Sequence, residues 1–392
     1  MIKAVLLDLD NTLISNPDYP FALAFLNQVE GFFHSKLGIE GTAQHFRNFI
    51  KRAQQQTIRS INNHQLLIAV LHEAYGIDPV TLHSTLDEFY TSAYLEVKSC
   101  ISPIAGAAEL IHRLLEKDVA VAIATNPLYP TRAIIERMRW GGLPLDASYA
   151  LITGSEVMHT SKPDAAYFVE IVARIGIEPD EALYFGDSAR NDIKPAHMVG
   201  LQTFHVTPDP DPVAHHSGSL HDFMDWFSTP DWQTQFNPGV RPNGIIPGYC
   251  GNLAALHGLL EEVQPHFWHQ RPLEGEWSIM QILCHLLESE HTVQRPRLVR
   301  ILSEDNPFIA APRPPGPNIP ACADEGMEVM ARFVTERMQT IELLKSLSAE
   351  QWHRRARHSI FGLTTLLEMA HFTAQHDRLH INQLCQTLGR CS

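Results

Sequence analysis

Five apolar runs constrain this chain more than any other feature: "IKAVLLDLD" (2–10), "VAVAIAT" (119–125), "YALIT" (149–153), "ALYFGD" (182–187) and "QTFHV" (202–206). They are continuous rather than alternating, so a strand made from each is buried on both faces. Helical stretches separate them, and the arrangement predicts parallel strands sandwiched by helices. Between the first run and the second lies an insert, about 15–100, with no comparable strand. Its segments "FALAFLNQVEGFFHSKL", "QHFRNFIKRAQQQ", "HQLLIAVLHEAYG" and "TLHSTLDEFYTSAYLEV" carry helical periodicity. An insert that leaves such a sheet just after its first strand sits over the carboxyl ends of the strands, where ligands bind, so it reads as a lid.

At 392 residues the chain is too long for one ordinary core, and two domains are expected. After Val206 come "TPDPDPVAHHSGS", a short helix "LHDFMDWF", and then "STPDWQTQFNPGVRPNGIIPGY". This last stretch is rich in Pro, Gly and Asn and has no periodicity, which puts the interdomain linker at about 229–246. From Tyr249 onward the pattern is long helices only, at about 249–268, 278–302, 324–347 and 364–388. Ser278 with Gln281, and Thr365 with Glu368, stand at capping-box spacing at the start of the second and fourth. Pro296 is expected to end or kink the second helix, and "NPFIAAPRPPGPNIPACA" reads as a long crossover loop. The expected fold class is therefore α/β, a Rossmann-like parallel sheet with a helical cap inserted after strand 1, followed by an all-α four-helix bundle. The domains are expected at 1–228 and 247–392.

A net charge of −14 argues against nucleic acid or an anionic membrane as the main partner. The N-terminus has no basic leader and no small-residue cleavage site, so it reads as a strand rather than a signal peptide. No apolar run approaches the roughly 20 residues that span a bilayer. The six cysteines are scattered with no C-x-x-C pair, a usage that suits a reducing cytoplasm better than a disulfide framework.

The first run ends in Asp8 and Asp10. Side chains alternate along a strand, so these two share a side and Leu9 points away. Two carboxylates that close do not both stay ionised cheaply without a cation. A divalent metal at the strand's carboxyl end resolves the conflict, with one carboxylate as nucleophile and ligand and the other as acid and base. The bland alternative is a pair of acids that solubilise a turn. Three further pieces accompany them: Thr125 and Asn126 end the second run, Lys162 precedes a helix in "HTSKPDAAYF", and Asp187 and Asp192 follow the fourth run in "LYFGDSARND".

The set D-x-D-x-T, apolar-run-T-N, K-P and G-D-x-x-x-x-D, in this order, resembles the haloacid-dehalogenase-like hydrolase superfamily over about residues 1–228. The resemblance implies that Asp8 attacks phosphorus and forms an aspartyl-phosphate. It implies that Asp10 protonates the leaving oxygen and later activates water, its backbone carbonyl also touching Mg²⁺. Thr12 would hold the loop, Thr125 with the Asn126 backbone would bind phosphoryl oxygens, and Lys162 would offset charge. Asp187 would ligate Mg²⁺, and Asp192 would ligate it directly or orient Lys162. Such an Mg²⁺ site is expected to take Asp8, Asp10, Asp187 and Asp192 as its ligands. Phosphoryl transfer needs in-line positioning and charge compensation on the equatorial oxygens, which these groups supply. The family's carbon–halogen branch lacks the second Asp, because halide needs no proton on leaving, so Asp10 favours a phosphate ester. The insert matches that family's cap over small, soluble substrates. Elsewhere the blander readings are preferred: His159 as a solvated loop histidine, Ser188 and Arg190 as variable positions, and Tyr19, Phe21 and Phe25 as core rather than substrate wall.

The final helix carries His371, His376 and His380. His376 and His380 lie about 40° apart at 100° per residue, whereas His371 is about 140° from the first and about 180° from the second. His285, on the second helix, offers a third imidazole, and His291 lies about 120° around from it. Chance pairs at this spacing are common in a chain with 22 histidines. The stretches "GNLAALHGLL", "GEWSIMQILCHLLESE" and "HDRLHINQL" together resemble the DinB/YfiT-like helical-bundle metalloproteins over roughly 247–392. The resemblance implies a site of His285, His376 and His380 holding Zn²⁺, Ni²⁺ or Fe²⁺, with open positions for water or a thiolate. Glu290 and Asp377 are either carboxylates that orient an imidazole or parts of a solvated helix face. Arg295, Arg297 and Arg300 read as a basic exposed helix end in preference to an anion site.

Three whole-protein readings follow. The first is a cytoplasmic Mg²⁺-dependent phosphatase or phosphotransferase acting on a small-molecule phosphate ester, with a second, metal-holding domain. In the second the bundle is the main catalyst, a transferase using a low-molecular-weight thiol. In the third the bundle is a non-catalytic module that forms a homodimer, its metal stabilising the fold.

Overall fold

The structure, a computed structural model, describes residues 1–55, 58–209, 211–234, 239–312 and 325–391. The chain divides into two compact units, residues 1–171 with 179–238, and residues 172–178 with 239–392.

In the first unit β1 (Ala4–Leu7) leads through the two-residue strand β2 (Ile14–Ser15) into four helices, α1 (Asp18–Leu37), α2 (Thr42–Ala53), α3 (Asn63–Tyr75) and α4 (Pro79–Thr91). A 3₁₀ turn at Ala93–Cys100 and strand β3 (Ser102–Pro103), antiparallel to β2, return the chain to the sheet. Then follow α5 (Ala107–Leu115), β4 (Ala120–Ile123), α6 (Thr131–Trp140), β5 (Leu151–Ile152), α7 (Ala165–Arg174), β6 (Ala182–Gly186), α8 (Lys194–Met198), β7 (Gln202–Val206), β8 (His216–Gly218) and α9 (Leu220–Trp226). The sheet order is β5-β4-β1-β6-β7-β8, and every pair is parallel. All five apolar runs are strands. The sixth, β8, is missing from the sequence reading because "HSG" carries no apolar signal; at a sheet edge its backbone pairs with one neighbour only.

Register decides where the chemistry sits. Leu7 pairs with Ile123 on one side and with Phe185 on the other, so β1, β4 and β6 end level. Asp8, Thr125 and Asp187 therefore leave adjacent strand ends, at the point where strand order reverses about β1. The insert is helical as expected. Asn62 and Gln65 close a capping box before α3, Asp78 caps α4 ahead of Pro79, and left-handed Gly38 and Gly76 terminate α1 and α3. Its aromatic core centres on Phe25, whose ring lies 5.7 Å from Phe46, 5.7 Å from Phe89 and 5.0 Å from Tyr129. Truncating Phe25 to Ala would cost about 3–5 kcal/mol.

Part of the stretch expected as linker, 229–246, is built into the two units. Trp232 is buried in the first unit's core, the Ile2 amide donates to the Gln233 carbonyl at 3.1 Å, and the second unit's first helix already begins at Pro242. Residues 235–238 lie outside the described residues.

The second unit contains α10 (Pro242–Glu261), α11 (Ile279–Ser289), a π-helical turn at Glu290–Gln294, α12 (Arg295–Ser303), β9 (Phe308–Ile309), α13 (Gly326–Lys345), α14 (Ala349–Trp352), β10 (Arg355–His358), β11 (Gly362–Thr365) and α15 (Leu366–Cys391). The first helix starts and stops seven residues before the expected 249–268. Pro242 suits a first turn, where its missing N–H is no loss, and Pro265 biases the residue before it away from helix. Both expected capping boxes form: Ser278 with Gln281, and Thr365 with Glu368. Pro296 does not end its helix. The wider π turn ahead of it absorbs the missing hydrogen bond, and the chain continues as α12. A small sheet, order β11-β10-β9, accompanies the helices and is too short for period-two alternation to reveal. The crossover loop expected at 306–323 contains β9, and its residues from 313 lie outside the described residues.

Cys100 and Cys385 are free thiols, whereas Cys284 is disulfide-bonded, which the scattered cysteine spacing does not reveal. Among the described residues no helix is long and apolar enough to cross a membrane.

Candidate active site and candidate metal centre

Asp8 is the first residue past β1 and is held from three sides. Its amide donates to the Phe185 carbonyl at 2.9 Å, Thr12 Oγ1 donates to Oδ2 at 2.8 Å, and Lys162 Nζ donates to Oδ1 at 2.6 Å. Lys162 also pairs with Asp192 Oδ1 at 2.7 Å. Asp192 accepts from Tyr184 Oη and from the Ser188 amide, each at 3.0 Å. Asp192 thus meets Lys162 while also offering a carboxylate oxygen to the Asp8–Asp187 cluster, so both roles stay open to it. Gly186 permits the close packing: a Cβ there would stand 2.8 Å from Asp192 Oδ2 and 2.9 Å from Tyr184. The loop after β1 turns at Asn11, left-handed at φ 60°, a conformation Asn tolerates through its short polar side chain.

One ligand atom from each of Asp8, Asp187 and Asp192 falls within 4.8 Å of the others. Burial pushes the Asp8 carboxyl up to about 8 against the pull of Lys162, with Asp192 and Asp187 adding to the rise. Burial, then Asp192, pushes Asp187 up to about 6. Burial disfavours the Lys162 ammonium, but Asp192 and Asp8 outweigh it and hold Lys162 above its ordinary range. Three carboxylates thus face one lysine. The donor set is entirely hard oxygen, and it fits Mg²⁺ rather than a soft transition metal.

The Asp10 side chain is not in this cluster. Its Oδ1 accepts from Asn16 Nδ2 at 2.7 Å, while Oδ2 accepts from Thr125 Oγ1 at 3.3 Å and from Arg137 Nη1. Asp8 and Asp10 nonetheless line one cleft of 720 Å³ together with Thr125, Asn126, Lys162 and Asp187. Thr125 is positioned from behind, since Tyr167 Oη donates to its carbonyl at 2.7 Å.

Arg137 is the residue the sequence reading missed. It is buried on the face of α6 that also buries Ala133, Ile134 and Met138, and its guanidinium lies 4.9 Å from the Tyr129 ring centroid. An arginine on the apolar stripe of "TRAIIERMRW" was the available signal. Several blander readings change as well. His159 is not solvated: it is buried, its amide donating to Glu170 at 3.0 Å. Tyr19 is exposed, Phe25 is core, and Phe21 is both buried and a wall of the cleft. Ser188 caps the next turn by accepting from the Asn191 amide at 3.2 Å, and exposed Arg190 lines the cleft mouth.

In the second unit His285, His376 and His380 come together, with one ring nitrogen of each within 4.8 Å of the others. His285 Nε2 is 3.4 Å from His376 Nε2. The Trp277 ring stacks on His380 at 5.8 Å, and His380 Nδ1 meets Gln383 Oε1 at 2.9 Å, which fixes that imidazole's orientation. Burial, then His380, lowers His285 to about 4. Burial and His380 lower His376 to about 3, and burial lowers His380. Three neutral imidazoles offer lone pairs to a borderline metal, so the donor set fits Zn²⁺, Ni²⁺ or Fe²⁺. His291 points elsewhere, exposed and 3.3 Å from Glu336.

Glu290 and Asp377 are not solvated and, among the described residues, hydrogen-bond to no imidazole. Both are buried against Arg337, whose Nη2 donates to Glu290 Oε2 at 2.9 Å and to Asp377 Oδ1 at 3.0 Å. Helix spacing could not show that a facing helix supplies an arginine between them. Among the three basic residues, Arg295 pairs with Glu336 at 2.6 Å and Arg300 with Glu304 at 2.9 Å. Arg297 is buried and lines the 450 Å³ cavity that also holds the three histidines.

Two family models match the chain: the haloacid dehalogenase-like hydrolase model over residues 2–200 and the DinB superfamily model over residues 251–384. The chain therefore belongs to the haloacid dehalogenase-like hydrolases and carries a DinB superfamily domain after the hydrolase. A ribulose-1,5-bisphosphate 5-phosphatase from Halopiger xanaduensis is 30% identical over 221 residues, covering 53% of this chain and 86% of the relative. A phosphoglycolate phosphatase from Rhodospirillum rubrum is 27% identical over 263 residues, covering 65% of this chain and all of the relative. Among solved structures, a HAD phosphatase from Thermococcus onnurineus is 20% identical with a TM-score of 0.38, covering 58% of this chain and 98% of that one. The expectation of a phosphatase-type hydrolase of this family holds.

Proposed function

We propose that the first unit hydrolyses a small phosphate ester in the cytoplasm through a phosphorylated Asp8. The observation that carries this reading is the fixing of Asp8 between Lys162 and Thr12, with Asp187 and Asp192 close by. Asp8 attacks phosphorus as the ester P–O bond breaks, and Asp10 gives its proton to the departing oxygen. Asp10 then takes a proton from the water that attacks the phosphoaspartate, returning Asp8 to its carboxylate. Thr125 Oγ1 and the Asn126 amide hold the phosphoryl oxygens, and Lys162 offsets their charge. Asp8, Asp187 and the Asp10 carbonyl would hold Mg²⁺, which when bound would supply further positive charge there. The relatives' names make phosphoglycolate and sugar bisphosphates the first esters to assay.

The second unit is proposed to hold a transition metal on His285, His376 and His380. A thiol-transferase reading is favoured by one observation, the open cavity of 450 Å³ above those imidazoles, which has room for a small thiol. A homodimer through the bundle is testable by sedimentation of the full chain with and without metal. For the phosphatase, Asp8→Asn is expected to reduce Mg²⁺-dependent release of phosphate by about four orders of magnitude or more, while His376→Ala leaves it within about twofold. Full activity in the Asp8→Asn variant ends the phosphoaspartate reading, and equal loss in both variants moves the catalysis to the bundle.

A further inference from the structure

The 450 Å³ cavity of the second unit contains two buried hydrogen-bond donors that the described residues leave almost unused. Arg297, on α12, is 8% exposed. Its contact within hydrogen-bond range is a marginal 3.5 Å to the Ala310 carbonyl, and among the described residues no carboxylate pairs with it. Burial depresses its guanidinium. The other donor is His358, at the end of β10. Its Nδ1 accepts from the Ile360 amide at 3.2 Å and from the Phe361 amide at 3.4 Å. An acceptor Nδ1 in a neutral imidazole leaves the proton on Nε2. That Nε2–H is buried with no partner among the described residues, and the ring is held flat against Phe361 at 4.6 Å.

A buried cation without a counter-ion is among the least favourable arrangements a fold can keep, and so is a buried N–H without an acceptor. Here the two occur in one cavity, near enough that Arg297 adds to the lowering of His358. We propose that Arg297 and His358 form an anion subsite that receives the acidic head of a small, largely apolar ligand. The rest of the cavity is largely apolar, with Glu288, Ser289, Thr292 and Gln294 also on its wall. Phe361, Phe372, Val293 and Trp277 line it, and Ile360, 71% exposed, stands at its mouth on the β10–β11 turn. The three imidazoles share the same space, so a ligand anchored by its acid end presents its remaining groups toward them. A cavity of this size and lining takes a molecule of a few rings.

The inference stands apart from the phosphatase and from any metal, because it rests on donors that are not among the three histidines. It is tested on the full chain with two fluorescent probes of similar shape. 8-Anilinonaphthalene-1-sulfonate carries an anion; N-phenyl-1-naphthylamine does not. Arg297→Gln is expected to weaken the sulfonate by about ten- to hundredfold, the loss of one or two charge-assisted hydrogen bonds. The neutral probe is expected to stay within about twofold, and Arg297→Lys to restore part of the sulfonate affinity. Thermal unfolding gives an independent readout: Arg297→Met relieves a buried unpaired cation, so the melting temperature stays or rises. Equal weakening of both probes, unchanged sulfonate binding, or a large fall in melting temperature for Arg297→Met would each overturn the proposal.

Discussion

Replacing Arg337 with Met tests how the second unit is held together. The guanidinium is buried, reaches both Asp377 and Glu290, and lies 4.5 Å from the Tyr249 ring centroid. Burial alone would depress it, but Asp377 and Glu290 hold it above its ordinary range. Met fills much of the volume and leaves the two acids facing each other in a dry interior. Asn252 Nδ2, 3.4 Å from Asp377, and the Thr340 hydroxyl on Glu290 remain as partial compensation. Breaking a buried pair on one side costs about 3–5 kcal/mol. For a unit of this size each kcal/mol moves the melting temperature by about 2–4 °C, so a fall of about 6–20 °C is expected. Scanning calorimetry of the full chain should show it in the transition of the second unit alone. The companion variant Asp377→Asn separates structure from metal chemistry. Were Asp377 an imidazole partner, metal affinity would fall about ten- to hundredfold; bound to Arg337 instead, it should leave affinity for Zn²⁺ within about twofold while lowering the melting temperature. An Arg337→Met variant that melts within about 2 °C of the parent, or tenfold weaker Zn²⁺ binding by Asp377→Asn, would refute the reasoning.

Arg137→Met removes the guanidinium from Asp10 and leaves Asn16 and Thr125 to position it; kcat for phosphate release should fall about ten- to hundredfold, and Arg137→Lys should recover part of it. Ser278→Ala opens the capping box of α11; chemical denaturation should report a loss of about 1 kcal/mol. If that variant is as stable as the parent, the first turn of α11 is held by packing rather than by its cap.

The two sites differ in how openly the chain advertises them. Asp8, Thr125 and Asp187 each follow an apolar run, and a buried strand that ends in a polar residue marks its own carboxyl edge. Lys162 and Asp192 lie off the strands and were found through a motif whose order matched. The pair His376 and His380 follows from helix period alone, while His285 needed a second helix to face them. Arg137, Arg337, Arg297 and His358 carry no comparable mark. Each is a polar side chain on an apolar face, and its meaning depends on a partner distant in the chain or, for the last two, on donors left without a counter-ion or acceptor among the described residues.

Apolar continuity, spacing and capping residues act within a strand or a helix turn, so the linear order of residues was enough to predict the parallel sheet, the helical insert and the helical second part, and to nominate two sets of candidate ligands. Whether Asp10 joins the acidic cluster or turns to Arg137, whether Asp377 serves an imidazole or a guanidinium, and whether Pro296 stops a helix or is absorbed by a wider turn were decided by packing. The first two depend on which counter-charge the fold brings to each buried acid and the third on how neighbouring helices pack, and burial is a property of the folded chain.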